Sequence, residues 1–199
     1  MNWKTLAAYA ARVYDDENRI HVGEVEYATY SAEGENVFAV AGTNGWRDWG
    51  CNLHRAMTNL HLSGRRCRVH SGFLNAALEL YPAFTEWRDR QHGEVMLTGH
   101  SQGAAIAALL AMLSEAEAEC SISRLCCVAM PRIGNSVLRR VFLEQYKRSS
   151  YRMYGRKLDP VCALPFFGYT WAGHIVWLPS KFDCRLDHAV QKYLALIAE

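Results

Sequence analysis

The stretch Val95-Met96-Leu97-Thr98-Gly99-His100-Ser101-Gln102-Gly103 constrains this chain more than any other. β-prone residues run straight into Gly-His-Ser-Gln-Gly, and an apolar helical run, Ala104 to Leu113, follows at once. The pattern predicts a strand, a sharp turn and a helix, with a serine at the apex of a G-x-S-x-G elbow. A serine on such a turn takes a positive φ, which is strained for any residue with a side chain. The flanking glycines answer that geometry, because a Cβ at Gly99 or Gly103 would crowd the strand against the helix. The strain holds the serine oxygen out beside the first N–H groups of the helix, where a nucleophile is useful. A tight βα turn with a helix-capping serine would share the same local sequence.

The 199 residues suit one domain with a sizeable core, and half of them are hydrophobic. A net charge of +2 is too small to suggest nucleic acid or a polybasic membrane anchor. No apolar run is long enough for a transmembrane helix. Residues Met1 to Arg12 carry a short apolar stretch broken by Tyr9 and Arg12, which reads as an amphipathic helix rather than a signal peptide. The seven cysteines are an odd number in a chain with no visible export signal. Free thiols and a cytoplasmic location are therefore expected, with signal-independent export as the alternative. Cys126 and Cys127 adjoin within an apolar strand, so their side chains should point to opposite faces. Cys51, His54, His61, Cys67 and His70 match no standard zinc spacing, and no metal is expected.

Strand-like and helix-like segments alternate along the chain without a linker or repeat. A first helix is expected over Trp3 to Tyr14, a strand over Val22 to Ser31, and a buried strand over Asn36 to Ala41. Trp46 to Val69 reads as irregular and polar, and Gly72 to Arg90 as helical. After the elbow come a strand over Arg124 to Met130, a helix over Asn135 to Lys147 and a short strand over Tyr151 to Tyr154. A long loop then leads to a strand over His174 to Leu178 and a closing helix over Leu186 to Ala198. Such alternation implies an α/β fold: a mainly parallel sheet covered on both faces, with its site at the carboxyl ends of the strands.

A serine hydroxyl needs a neighbouring histidine to take its proton, and the histidine needs a carboxylate to fix its tautomer. In folds with this elbow the chain order is serine, acid, histidine. Downstream of Ser101 the only histidines are His174 and His188. His188, just before the last helix, is the favoured base, and His174 reads as a core or pocket histidine. Asp159 is the favoured acid, because it follows a short strand and precedes Pro160. Asp183 and Asp187 are its rivals, and an Asp before proline is also a natural turn cap. A developing oxyanion needs two donors. The Gln102 N–H supplies one, and Thr43, after the strand ending at Ala41, is the candidate for the other. Gly42-Thr43-Asn44-Gly45 also reads as a plain turn. His100 and His174 are the candidate substrate-binding histidines.

With these pieces in place the chain resembles the class 3 (fungal-type) lipases of the α/β-hydrolase superfamily. The matching motifs fall in the family's order over residues 37 to 193. They are Val40-Ala41-Gly42-Thr43, then Asp48-Trp49 with Asn52-Leu53, then Val69-His70-Ser71-Gly72-Phe73, then the elbow itself. Met130 to Asn135, Asp159-Pro160-Val161 with Leu164-Pro165, and Asp187-His188 with Tyr193 complete the series. The resemblance implies a single α/β-hydrolase domain over residues 1–199 and a Ser101–Asp159–His188 triad. It also implies an oxyanion hole at Thr43 and Gln102, cofactor-free ester hydrolysis, and a lid within Asn52 to Arg68. The family usually has Leu after the serine, so Gln102 makes the pocket more polar. The lid segment is basic, with a narrow apolar face of Leu53, Met57, Leu60 and Leu62. Shorter, more soluble or phospholipid-like esters fit that surface better than bulk triglyceride, with transient contact at a lipid surface. The same triad also serves phospholipases, acyltransferases and thioesterases. A non-catalytic acyl-binding protein that keeps the fold is the alternative from another class.

Overall fold

Apolar runs buried on both faces pair with one another, and the strongest of them form the centre of one sheet. The computed structural model describes residues 1–32, 34–42, 56–116, 122–180 and 188–198. In the described residues seven strands lie side by side: β1 (Ile20–Val22), β2 (Val25–Ala32), β3 (Glu35–Val40), β6 (Glu94–His100), β7 (Arg124–Val128), β8 (Tyr151–Arg156) and β9 (Ile175–Leu178). From β3 to β9 the neighbours run parallel, while β1 and β2 are antiparallel additions at one edge. The fold is therefore the mostly parallel α/β sheet that the sequence implies. Val40 pairs with Gly99, and His100 with Val128, so the ends of β3, β6 and β7 reach one edge together.

Period-two alternation splits each central strand between two cores. Phe38, Val40, Leu97, Leu125, Cys127 and Met153 face α2 (Ser71–Arg88), α3 (Gln102–Ala116) and α4 (Ser136–Gln145). Val37, Met96, Cys126 and Val128 face α1 (Trp3–Arg12), which packs through Leu6, Ala7 and Ala10. Cys126 and Cys127 thus lie on opposite faces, as alternation predicts, and the described cysteines Cys67, Cys126, Cys127 and Cys162 are free and buried. Every residue of α3 from Gly103 to Met112 is buried, which an apolar helix of small residues permits. A fully buried Phe such as Phe38 contributes about 2–3 kcal/mol through area removed from water. No helix among the described residues is long and apolar enough to cross a membrane.

The expectation of irregular chain between Trp46 and Val69 is corrected over its second half. β4 (Met57–Leu62) and β5 (Arg65–His70) form an antiparallel hairpin. Ser63 and Gly64 both take positive φ, 47° and 73°, and close it as a two-residue turn that fits the twist of its strands. The hairpin buries Leu62, Cys67 and Val69 in the larger core, with Leu60 packed beside them. Of the apolar face expected of a lid, Leu60 and Leu62 pack here, and residues 52–55 of that segment lie outside the described residues. The strand expected over Val22 to Ser31 is two, β1 and β2, and differences follow toward the end of the chain as well. A short helix, α5 (Pro160–Ala163), interrupts the loop after β8. The closing helix, α6 (Val190–Leu194), is shorter than the run from 186 to 198 expected for it.

Candidate active site

The elbow adopts the geometry its glycines require. Ser101 follows β6 directly with a φ of 58°, and its N–H donates to the Val128 carbonyl at 2.9 Å. A Cβ at Gly99 would come within 2.4 Å of the Gly103 carbonyl oxygen, and one at Gly103 within 2.2 Å of the Val40 oxygen. Strand, helix and the neighbouring β3 therefore meet at a separation only glycine allows. The elbow stores on the order of 1–3 kcal/mol of backbone strain at Ser101, which the packed strands on either side hold in place.

From three separate elements the fold gathers Ser101, His188 and Asp159. Ser101 comes from the end of β6, Asp159 from the loop after β8, and His188 from the residues before α6. The Ser101 Oγ lies 2.9 Å from His188 Nε2, and His188 Nδ1 lies 2.9 Å from Asp159 Oδ2. Asp159 is 1 % exposed, so this carboxylate is stable as an anion only because its oxygens are taken up. Oδ1 accepts from the Val161 N–H at 2.9 Å, which caps α5. Oδ2 accepts from the Tyr193 hydroxyl at 2.7 Å as well as facing His188. The turn-cap reading of Asp159 and its reading as the histidine's partner are thus both realised, one on each oxygen. Burial alone would raise its pKa, but the bonds from His188, Tyr193 and Val161 outweigh burial and hold the carboxyl below its usual range. The rivals Asp183 and Asp187 lie outside the described residues.

Gln102 is the first residue of α3. Its N–H is one of the orphan donors of that helix end, beside the Ser101 oxygen. Thr43 lies outside the described residues; Gly42, before it, ends the described chain after β3. A Cβ on Gly42 would fall 3.0 Å from the Ser101 Cβ, so Gly42 itself lies against the elbow. A cavity of about 180 Å³ borders Gln102 and is walled by Val25, His70, Phe73, Glu24 and Glu79.

The two candidate substrate histidines are corrected. His100 is 6 % exposed and faces the interior. Its Nε2 lies 2.9 Å from the His188 carbonyl oxygen and its Nδ1 2.9 Å from the Tyr14 hydroxyl. Burial, then the adjacent His188, lower its pKa to about 3, so the ring is neutral. His174 immediately precedes β9, at the sheet edge opposite Ser101, where Arg139 Nη2 donates to its Nδ1 at 3.2 Å. Alternation along a strand says which face a residue takes but not which end of the sheet it serves.

Tyr14, Tyr193 and Cys162 went unassigned in the sequence. Tyr193 stands five residues beyond His188, close enough to have been paired with the acid. Cys162 Sγ sits 3.4 Å from the Tyr193 hydroxyl, and burial followed by the Asp159 charge pushes its pKa up to about 12. It stays a thiol and takes no part in proton movement. Among the described residues no group of His, Cys, Asp or Glu could hold a metal ion. His61, Cys67 and His70 all lie on the β4–β5 hairpin, and Cys51 and His54 are outside the described residues.

Comparison with known proteins places this arrangement among others. The family described as "Lipase (class 3)" matches residues 37–169. No curated protein matches the sequence. A propeptide complex of Rhizomucor miehei lipase superposes with a TM-score of 0.71 at 20% identity, covering 89% of this chain and 64% of that one. The mono- and diacylglycerol lipase of Aspergillus oryzae gives 0.72 at 20% identity, covering 90% and 79%. Rhizomucor miehei triacylglyceride lipase gives 0.64 at 22% identity, covering 88% and 77%. The chain thus spans just under two thirds of the first of these and over three quarters of the other two. At such identities the likeness carries the fold.

Proposed function

The chain belongs to the class 3 lipase family, and from that premise we propose that it hydrolyses carboxylic esters of lipid-like or short-to-medium acyl groups through Ser101, His188 and Asp159. The observation that supports this most is the unbroken line of 2.9 Å contacts from Ser101 Oγ to His188 Nε2 and from His188 Nδ1 to Asp159 Oδ2. An ionised Asp159 accepts the His188 Nδ1–H, which leaves Nε2 bare to accept the serine proton.

Ser101 Oγ attacks the ester carbonyl as His188 Nε2 takes the hydroxyl proton. The imidazolium that forms is stabilised by Asp159. The carbonyl oxygen becomes an oxyanion and takes the Gln102 N–H, with the Thr43 N–H as second donor. Collapse of the tetrahedral intermediate breaks the bond to the alcohol, which leaves with the proton from His188. An acyl group now sits on Ser101. Water enters, gives a proton to His188, and attacks the acyl carbon. The second collapse returns the proton to Ser101 and releases the acid. Net, one ester and one water give one acid and one alcohol.

The cavity beside Gln102 supports a small substrate. Its Glu24 and Glu79 carboxylates suit a polar alcohol portion better than a long aliphatic one.

The test pairs wild type with Ser101→Ala on p-nitrophenyl esters from acetate to palmitate, with fluorophosphonate labelling alongside. We expect turnover that favours butyrate over palmitate, and a fall of roughly 10³-fold or more in Ser101→Ala with loss of the label. A wild type that neither turns over nor labels would sink the hydrolase reading.

A further inference from the structure

We propose that Tyr14 and His100 are positioning residues for this site. Three hydrogen bonds run from the Gly42 amide through the Tyr14 hydroxyl and the His100 ring to the His188 carbonyl, and hold Gly42, the elbow and the base in one register. The proposal rests on the roles given above to Ser101, His188 and Asp159.

The direction of each bond is forced. A carbonyl oxygen only accepts, so the proton shared with the His188 oxygen belongs to His100 Nε2, at 2.9 Å. A neutral ring with Nε2 protonated has a bare Nδ1, which accepts from the Tyr14 hydroxyl at 2.9 Å. The Tyr14 oxygen then has lone pairs left for the Gly42 N–H, which donates to it at 2.8 Å. Burial and the nearby His188 keep His100 neutral, and burial keeps the Tyr14 phenol protonated, with its pKa pushed up to about 12. Neither Tyr14 nor His100 changes its proton count at neutral pH.

Each anchor touches a different working part. Gly42 precedes Thr43, the second proposed oxyanion donor. His100 is covalently next to Ser101, and its backbone closes β6. His188 is the base itself, and its ring lies over the His100 ring with centroids 4.7 Å apart. These segments are otherwise distant in sequence; Tyr14 and His100 are separated by 86 positions. A Cβ on Gly42 would come within 2.7 Å of the Tyr14 oxygen and 2.9 Å of the His100 carbonyl oxygen. Gly42 is thus seated between the tyrosine and the elbow. The chain fixes His188 through its backbone, where Asp159 fixes it through its ring.

The experiment measures kcat and KM on p-nitrophenyl butyrate for wild type, Tyr14→Phe, His100→Gln and His100→Leu, and records ring ¹⁵N signals of wild-type His100. Tyr14→Phe keeps the ring and removes only the hydroxyl. We expect its kcat to fall roughly ten- to a hundredfold with KM within about twofold, the mark of a misplaced reacting group rather than a lost binding contact. His100→Gln keeps a donor for the His188 carbonyl and should retain several times the kcat of His100→Leu. The wild-type spectrum should show Nε2 protonated and Nδ1 bare. An unchanged kcat in Tyr14→Phe, equal activity in His100→Gln and His100→Leu, or a proton on Nδ1 would each overturn the proposal. A folded wild type with no turnover and no fluorophosphonate label would overturn the hydrolase reading, and the positioning role with it.

Discussion

His100 carries the cost of its position in its charge state. The unfolded chain binds a proton at this ring below about pH 6.5, whereas the folded site refuses it down to about pH 3. Unfolding takes up a proton in that window, so folded stability falls as pH drops through it, by up to about 1.4 kcal/mol per unit. Asp159 adds to the loss further down: its folded pKa lies below its unfolded value, so its contribution is present above the unfolded pKa and disappears as pH falls through the folded one. Urea midpoints measured between pH 7 and pH 5 should therefore decline in wild type. In His100→Gln, which has no titrating ring, the decline should be shallower, and identical slopes in the two proteins would refute this account. The proposed triad is legible in the sequence, because chain order and a shortage of histidines downstream of Ser101 leave few candidates. Tyr14 was not legible. Its partners lie on the far side of the fold in sequence, and nothing around Tyr14 distinguishes it from any aromatic at the end of an amphipathic helix.

At the level of elements, glycine substitutions separate crowding from backbone conformation. An alanine at Gly103 puts its Cβ 2.2 Å from a backbone oxygen of β3, which has no rotamer to escape into. An alanine at Gly64 meets nothing within 4 Å and suffers only from its φ of 73°. Chemical denaturation should find Gly64→Ala weaker by about 1–2 kcal/mol. Gly103→Ala should lose at least about 3 kcal/mol or fail to accumulate. Comparable losses in the two would mean that the elbow relaxes more easily than its packing implies. The parallel strands, being continuous apolar runs, could be read directly. The β4–β5 hairpin could not, although Ser63-Gly64 between alternating residues was its signal. Arg65, Arg66 and Arg68 drew attention to charge, and the inward Leu60, Leu62, Cys67 and Val69 are spaced as a strand pair would need.

Across the whole molecule the sheet supplies two cores and one working edge. The alternation that puts Cys126 and Cys127 on opposite faces is the same that gives α1 one set of contacts and α3 another. Its carboxyl edge collects one site residue from the end of β6, one from beyond β8 and one from beyond β9, with 87 positions between Ser101 and His188. That spread dictates when, as well as where, the site exists. Strands β6 and β7 and helix α3 can form from nearby chain, but Ser101 does not meet His188, its proposed base, until β8 and β9 have added to the sheet and His188 has docked beside it. Distant pairings close late and slowly. During refolding from denaturant, fluorophosphonate capture should lag the return of helical circular dichroism, and capture that kept pace with it would mean the base docks before the sheet is complete. On the proposed reading Ser101 is therefore inert for most of its folding history, and reactivity arrives as a certificate that the last strands are in register.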